Sequence, residues 1–262
     1  MDERRALSFS LGAARYDVHR ARYPDAVFHA IATHLPHKES PRILEIGAGS
    51  GLASEDARRH LNAHLTLVEP GPEFVPILER KFAEDDHVRI VNSFIESLPA
   101  DGAYDCVMSA TAFHWVPEDS RYPIAAAQLR PGGILAVFWN NYSRSDAPVF
   151  DAIAEAYMEH HPAPGTERDI RSLQMRQIEA RREQAQASGL FTLIHTDLVT
   201  TERRYSAQEY VGLLKTFSSN AVQPAGALEA FYERIHAIIC DNGGTILLPV
   251  LTDFIIARKR DA

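Results

Sequence analysis

The stretch Arg42-Ile43-Leu44-Glu45-Ile46-Gly47-Ala48-Gly49-Ser50-Gly51 decides how the chain is read. An apolar run of strand length ends in alternating glycines, and the residues that follow, Leu52–Leu61, carry a helical pattern. Glycine admits positive φ and lets backbone come close to a ligand. A helix opening there offers unpaired N–H groups to the same space. In a doubly wound sheet, the end of such a strand is where nucleotide-type ligands sit. The spacing narrows the choice. A dinucleotide fingerprint needs a glycine three residues after Gly49, and Leu52 stands there. Glu69 ends the next apolar run, 18 residues past Gly51, where a carboxylate can accept both hydroxyls of a ribose.

Outward from this turn, strand and helix patterns alternate. The sequence predicts strands at Arg42–Ile46, Leu65–Glu69, Val88–Val91, Tyr104–Ser109 and Ile134–Trp139. Helices are expected at Pro24–Leu35, Leu52–Leu61, Glu73–Ala83 and Ser120–Leu129, the last with Pro123 in its first turn. Apolar strands alternating with helices point to an α/β fold with a mainly parallel, doubly wound sheet. The second half differs. Helices are expected at Ala147–His160, Asp169–Ala187 and Ala225–Cys240, and another begins at Ser206, with Glu209 at capping-box spacing. Strands are expected at Phe191–Val199 and Thr245–Ala257. The arginines of Asp169–Ala187 read either as a solvated, charge-paired face or as an anion-reading lid.

The 262 residues carry 27 Lys plus Arg against 35 Asp plus Glu, a net charge of −8. That balance opposes binding to a phosphate backbone, which needs a cationic face. No apolar run approaches the roughly 20 residues that span a bilayer, and Met1 to Gly12 lacks a signal-peptide core. Cys106 and Cys240 lie far apart in or beside apolar runs, so both are expected to be buried free thiols in a cytoplasmic protein. The 12 histidines are dispersed, and His160-His161 has no ligand-spaced carboxylate or cysteine nearby, so no metal site is expected. The G-x-S-x-G nucleophile elbow is absent.

Five motifs in order carry a family resemblance. Glu45-Ile-Gly-Ala-Gly-Ser-Gly resembles motif I of the class I S-adenosylmethionine (SAM)-dependent methyltransferases. Leu65-Thr-Leu-Val-Glu69-Pro70 is similar to their next strand with its ribose acid. Asn92–Pro99 resembles the loop beside the adenine, Tyr104-Asp-Cys-Val-Met108 the fourth strand, and Leu129-Arg-Pro-Gly-Gly-Ile-Leu135 the turn into the fifth. Ala112-Phe-His-Trp115, Arg20-Ala-Arg-Tyr-Pro24 and the tail from Tyr205 to Ala257 narrow the likeness to the type 11 small-molecule group, including relatives of trans-aconitate methyltransferase. Phe94 departs from the pattern, since many relatives place there an acid for the adenine amine.

The resemblance implies a Rossmann-like seven-stranded sheet of order 3-2-1-4-5-7-6, strand seven antiparallel, with a helical cap. It implies one domain over residues 1–262. That domain comprises an N-terminal lid at 10–36, a SAM-binding core at 42–139, and a cap with substrate region at 143–240 that includes strand six. SAM would meet Glu45, Gly47, Ala48, Gly49, Gly51, Glu69, Pro70, Ser93, Phe94, Ile95, Ser109 and Ala110. Tyr16 and Arg20 would close over it. His19, Tyr23, Phe113, His114, Trp115 and Trp139 would line the acceptor pocket, with aromatic faces suited to the sulfonium cation. His114 is the candidate general base. The implied reaction is methyl transfer to a small-molecule acceptor, without nucleic acid or membrane, by a monomer or homodimer. The alternatives are an NAD-dependent oxidoreductase and a non-catalytic SAM-binding protein.

Overall fold

At the centre of the sheet, β1 (Arg42–Ile46) pairs in parallel with β2 (His64–Val68) on one side and β4 (Tyr104–Ala110) on the other. This computed structural model describes residues 17–36, 39–160, 170–217 and 225–260. β3 (Val88–Val91) pairs outside β2, and β5 (Leu129–Tyr142) outside β4, both in parallel. The last strand, β7 (Thr245–Lys259), runs antiparallel between β5 and β6 (Phe191–Ser206). The order is therefore β3-β2-β1-β4-β5-β7-β6, as the resemblance implied.

Period-two alternation sorts the strand residues into two cores. On one face Ile43, Leu65, Leu67, Cys106, Met108, Ile134 and Phe138 pack under α1 (Asp25–His34) and α2 (Leu52–Leu61). On the other, Leu44, Ile46, Val68, Val107, Leu135 and Val137 meet Tyr122, Ala125 and Ala126 of α4 (Glu118–Gln128). The short α3 (Val75–Lys81) has proline in its first turn and contributes Leu78 to the first core. α4 begins earlier than expected, behind Pro117, so Pro123 falls inside the helix rather than in its first turn.

A third core forms beyond the parallel sheet. There α5 (Val149–His160), α7 (Ala207–Leu214) and α8 (Ala225–Asp241) gather Phe150, Ile153, Tyr210, Leu213, Phe231 and Ile235 around Tyr205, Ile246 and Leu248 of the long β6–β7 hairpin. Ser206 caps α7, and the reciprocal bond from its own N–H to Glu209 completes the capping box. α6 (Ile170–Ala187), expected within the cap region, instead lies on the sheet. Ala185 joins the second core, and Arg181 pairs with the buried Asp253 of β7. That contact, together with Arg182 to Glu179, supports the charge-paired reading of this helix over the lid. Cys106 is buried as expected, but Cys240 is exposed on α8. Both thiols are free. Among the described residues no helix is long and apolar enough to cross a membrane, and no group of three His, Cys, Asp or Glu could hold a metal ion.

Candidate active site

The C-terminal ends of β4, β1, β2 and the loop after β3 border one cleft of about 760 Å³, part of it open to solvent. Its order follows the sheet. Ala110, Thr111, Ala112, Trp115 and Val116 lie at the β4 end, then Ile46, Gly47 and Gly49 follow β1. Val68, Glu69, Pro70 and Phe74 follow β2, and Phe94, Ile95 and Glu96 lie after β3.

The glycines of the turn do different jobs. All three have positive φ. A Cβ on Gly47 would lie 2.5 Å from the Cβ of Ala112, so glycine lets the β1 and β4 loops touch. A Cβ on Gly49 would meet no protein atom within 4 Å, yet Gly49 lines the cleft. That open space is where a ligand reaches the backbone. Gly51 is a correction. It lies outside the cleft lining, and its missing Cβ makes room for Leu78 at 2.8 Å and Phe82 at 3.1 Å. Ala48, also expected to touch cofactor, packs in the first core.

Glu69 is held by backbone. Its Oε2 accepts from Gly49 N at 2.8 Å and its Oε1 from Gly71 N at 2.7 Å. Burial raises the carboxyl above its ordinary value, and the two amides oppose the shift. Each oxygen keeps a further lone pair for a ribose hydroxyl. Beyond it Val68, Pro70, Phe74, Phe94 and Ile95 make an apolar slot suited to a flat base.

Several expected contacts are supports rather than lining. Glu45 is 1% exposed and its Oε2 accepts from Ser54 Oγ. Burial pushes its pKa up to about 8, with Glu69 adding to the rise. Ser109 is fully buried and donates to Ile46 O at 2.8 Å, tying β4 to β1. Ser93 lies beside the slot but outside the lining. Ala110, Pro70, Phe94 and Ile95 line the cleft at the expected places.

The acceptor-side expectations need more correction. Tyr16 lies outside the described residues. Arg20 does not face the cofactor cleft. Its Nε and Nη2 donate to Thr216 Oγ1 and O, and its guanidinium covers the Phe217 ring. The His19 ring packs against Gly212, and its carbonyl accepts from Tyr205 OH. Residues 17–23 thus strap the sheet to the cap. Tyr23 is buried against Phe138, but its hydroxyl bonds to Thr111 Oγ1 at 2.9 Å, one residue behind the cleft wall. Thr111 itself, unforeseen in the sequence, has φ +54°, rare for a β-branched residue.

Phe113 is buried against Tyr122 and Trp139 lies under Arg181, so neither lines the cleft. Trp115 does line it. His114 also lies outside the lining, and its Nδ1 accepts from Trp139 Nε1 at 3.3 Å. An indole nitrogen only donates, so the neutral ring carries its proton on Nε2 and offers no free basic nitrogen. His114 is an exposed residue overall, yet local desolvation and then the Arg181 and Arg121 charges push its pKa down to about 4. The general-base role is therefore unsupported by the geometry.

Known proteins agree with this arrangement. Residues 43–133 match a family model described as a methyltransferase domain. An uncharacterised methyltransferase of Schizosaccharomyces pombe is 24% identical over 232 residues, which is 88% of this chain and 87% of that protein. An uncharacterised methyltransferase of Mycobacterium tuberculosis is 34% identical over 140 residues, 52% of this chain and 54% of that protein. A solved structure named as a type II methyltransferase, from Anaeromyxobacter dehalogenans, superposes with a TM-score of 0.64 at 20% identity, over 92% of this chain and 97% of that one. None of the three carries the narrower trans-aconitate assignment. The family model spans the same segment, from β1 into β5, that builds the cleft, and the chain belongs to the class I SAM-dependent methyltransferases, with SAM as its cofactor.

Proposed function

We propose that the protein methylates a small-molecule acceptor that enters at the β4 end of the cleft, beside Thr111, Ala112 and Trp115. The observation that carries this reading is the division of the cleft. Its β1 to β3 borders supply the glycine turn, the ribose acid and the apolar slot, and the remaining border is a short wall of small and aromatic residues. SAM supplies an activated methyl group on a sulfonium centre. Trp115 offers an aromatic face to that cation. Gly47, packed on Ala112, fixes the distance between the cofactor turn and the acceptor wall. Alignment of this kind can contribute several kcal/mol to an in-line displacement, up to roughly 7–11 in favourable systems.

The carboxylates of the lining, Glu69 and Glu96, lie toward the β2 and β3 end, and among the described residues none lines the β4 end. This supports an acceptor atom that needs no side chain here to remove its proton, such as a carboxylate oxygen or a neutral amine. The net charge of −8 supports a small acceptor over a nucleic acid. The test is S-adenosylhomocysteine (SAH) formation with SAM and the low-molecular-weight fraction of a cell extract. The reading expects SAH to accumulate with that fraction. SAH formation only with macromolecules would contradict it.

A further inference from the structure

The apolar slot after β3 has one charged side chain at its border. Glu96 sits in the short 3₁₀ turn Ile95–Ser97, is exposed, and lines the cleft. Among the described residues no hydrogen-bond or ion-pair partner holds its carboxylate. Glu69, the other lining acid, already accepts from Gly49 and Gly71. Asn92 and Ser93, the nearby polar side chains, do not line the cleft, and Asn92 Nδ2 is spent on Glu69 O at 2.8 Å. Phe94 contributes only a ring.

The sheet order fixes which part of the cofactor arrives there. With the amino-acid part at the β1 turn and the ribose at Glu69 after β2, the base extends toward the loop after β3. Val68, Pro70, Phe74, Phe94 and Ile95 offer surfaces to its flat faces and no side-chain hydrogen bonds to its edge. An adenine edge carries an exocyclic amine, which is a donor. We propose that Glu96 accepts a hydrogen bond from this amine and is the residue that selects adenine over bases lacking a donor at that position. The inference rests on the cofactor assignment above.

A hydrogen bond to an ionised acceptor is stronger than a neutral one, but solvent at the rim weakens it. The test compares two ligands by calorimetry, SAH and its purine-riboside analogue with hydrogen in place of the amine. The wild type is expected to bind SAH about tenfold more tightly, a difference of about 1.4 kcal/mol. Glu96→Ala should bind both ligands alike, at the wild-type affinity for the analogue. Glu96→Gln keeps an acceptor oxygen and should retain part of the preference. A wild type that binds the two within twofold, or a folded Glu96→Ala that keeps the full preference, would overturn the proposal. Failure of the wild type to bind either ligand at millimolar concentration would overturn the cofactor assignment as well, which separates the two failures.

Discussion

Replacing Gly49 and Gly51 by alanine should have opposite consequences, although both belong to the same turn. At Gly49 the added methyl meets no protein atom within 4 Å, so only the backbone resists it. An L-residue at φ +55° costs roughly 1–2 kcal/mol, and the reduced entropy of the unfolded chain returns about 0.4–1 of that. The net loss of about 1 kcal/mol lowers Tm by roughly 2–4 °C for a chain of this size. The same methyl projects into the ligand space of the cleft, so SAH affinity should fall at least about 100-fold, or roughly 2.7 kcal/mol. At Gly51 the backbone strain is similar, with φ +82°, but the methyl lies 2.8 Å from Leu78 Cδ2 and 3.1 Å from Phe82 Cε2. Overpacking of that kind adds about 1–3 kcal/mol, so the Tm loss should be two to three times that at Gly49, on the order of 5–10 °C. SAH affinity at a temperature where the variant is folded should change less than about fivefold. Differential scanning fluorimetry without ligand and calorimetry with SAH measure both effects. Equal binding losses in the two variants, or wild-type affinity in Gly49→Ala, would refute the division of labour within the turn.

Three further outcomes follow from the packing. Glu69→Ala removes the acceptor for two backbone amides and for the ribose, so SAH should bind at least about tenfold more weakly, and unchanged calorimetric affinity would count against the ribose role. Glu45 is protonated more readily in the fold than in the unfolded chain, its pKa rising from 4.5 to about 8. The native state therefore holds the extra proton between those values, and stability from this group is present below pH 4.5 and lost as pH rises through 8. Glu45→Gln should lose less Tm than the wild type between pH 5 and 8, and superimposable Tm–pH curves would sink this reading. Arg181→Ala leaves Asp253, 1% exposed, with Asn141 as its remaining side-chain donor, and should cost on the order of 3 kcal/mol. Arg182→Ala, which breaks only a surface pair with Glu179, should cost under about 1 kcal/mol, and equal losses in thermal unfolding would contradict the contrast.

The sequence was most legible where the signal is local. The helix Leu52–Leu61 and the strands at Arg42–Ile46 and Val88–Val91 lie where their patterns place them. The Ser206–Glu209 capping box is a three-residue signal and forms as spaced. β6 was expected to stop at Val199 but continues to Ser206. Thr200–Arg204 read as polar loop, yet backbone pairing with β7 carries them as strand. β7 also holds Pro249 inside a strand. Its partner on one side is Glu202 of β6, while pairing with β5 begins only at Val250, so the missing N–H falls where one edge is free.

The cofactor half of the site was readable for the same reason: Gly47, Gly49, Glu69 and Pro70 lie within one strand–turn–helix–strand unit. The acceptor half depends on contacts distant in sequence. Arg20 finds Thr216 196 residues away, and Tyr23 finds Thr111 88 residues away. No local pattern distinguishes an arginine that will strap a cap from one that will grip a carboxylate. Phe113, His114 and Trp115 are consecutive, so a three-residue turn sends only Trp115 to the cleft. Glu96 was passed over because Phe94 occupies the place where an acid was sought.

The central claim is that the cofactor lies across β1, β2 and the loop after β3, with its methyl end toward Thr111 and Trp115. A crystal structure of the full chain with SAH tests it most directly. The account predicts the amino-acid part against Gly47 and Gly49, the ribose hydroxyls on Glu69, and the base between Phe74 and Phe94 with its amine toward Glu96. SAH bound with its base at the Thr111–Trp115 wall, or bound outside this cleft, would contradict it.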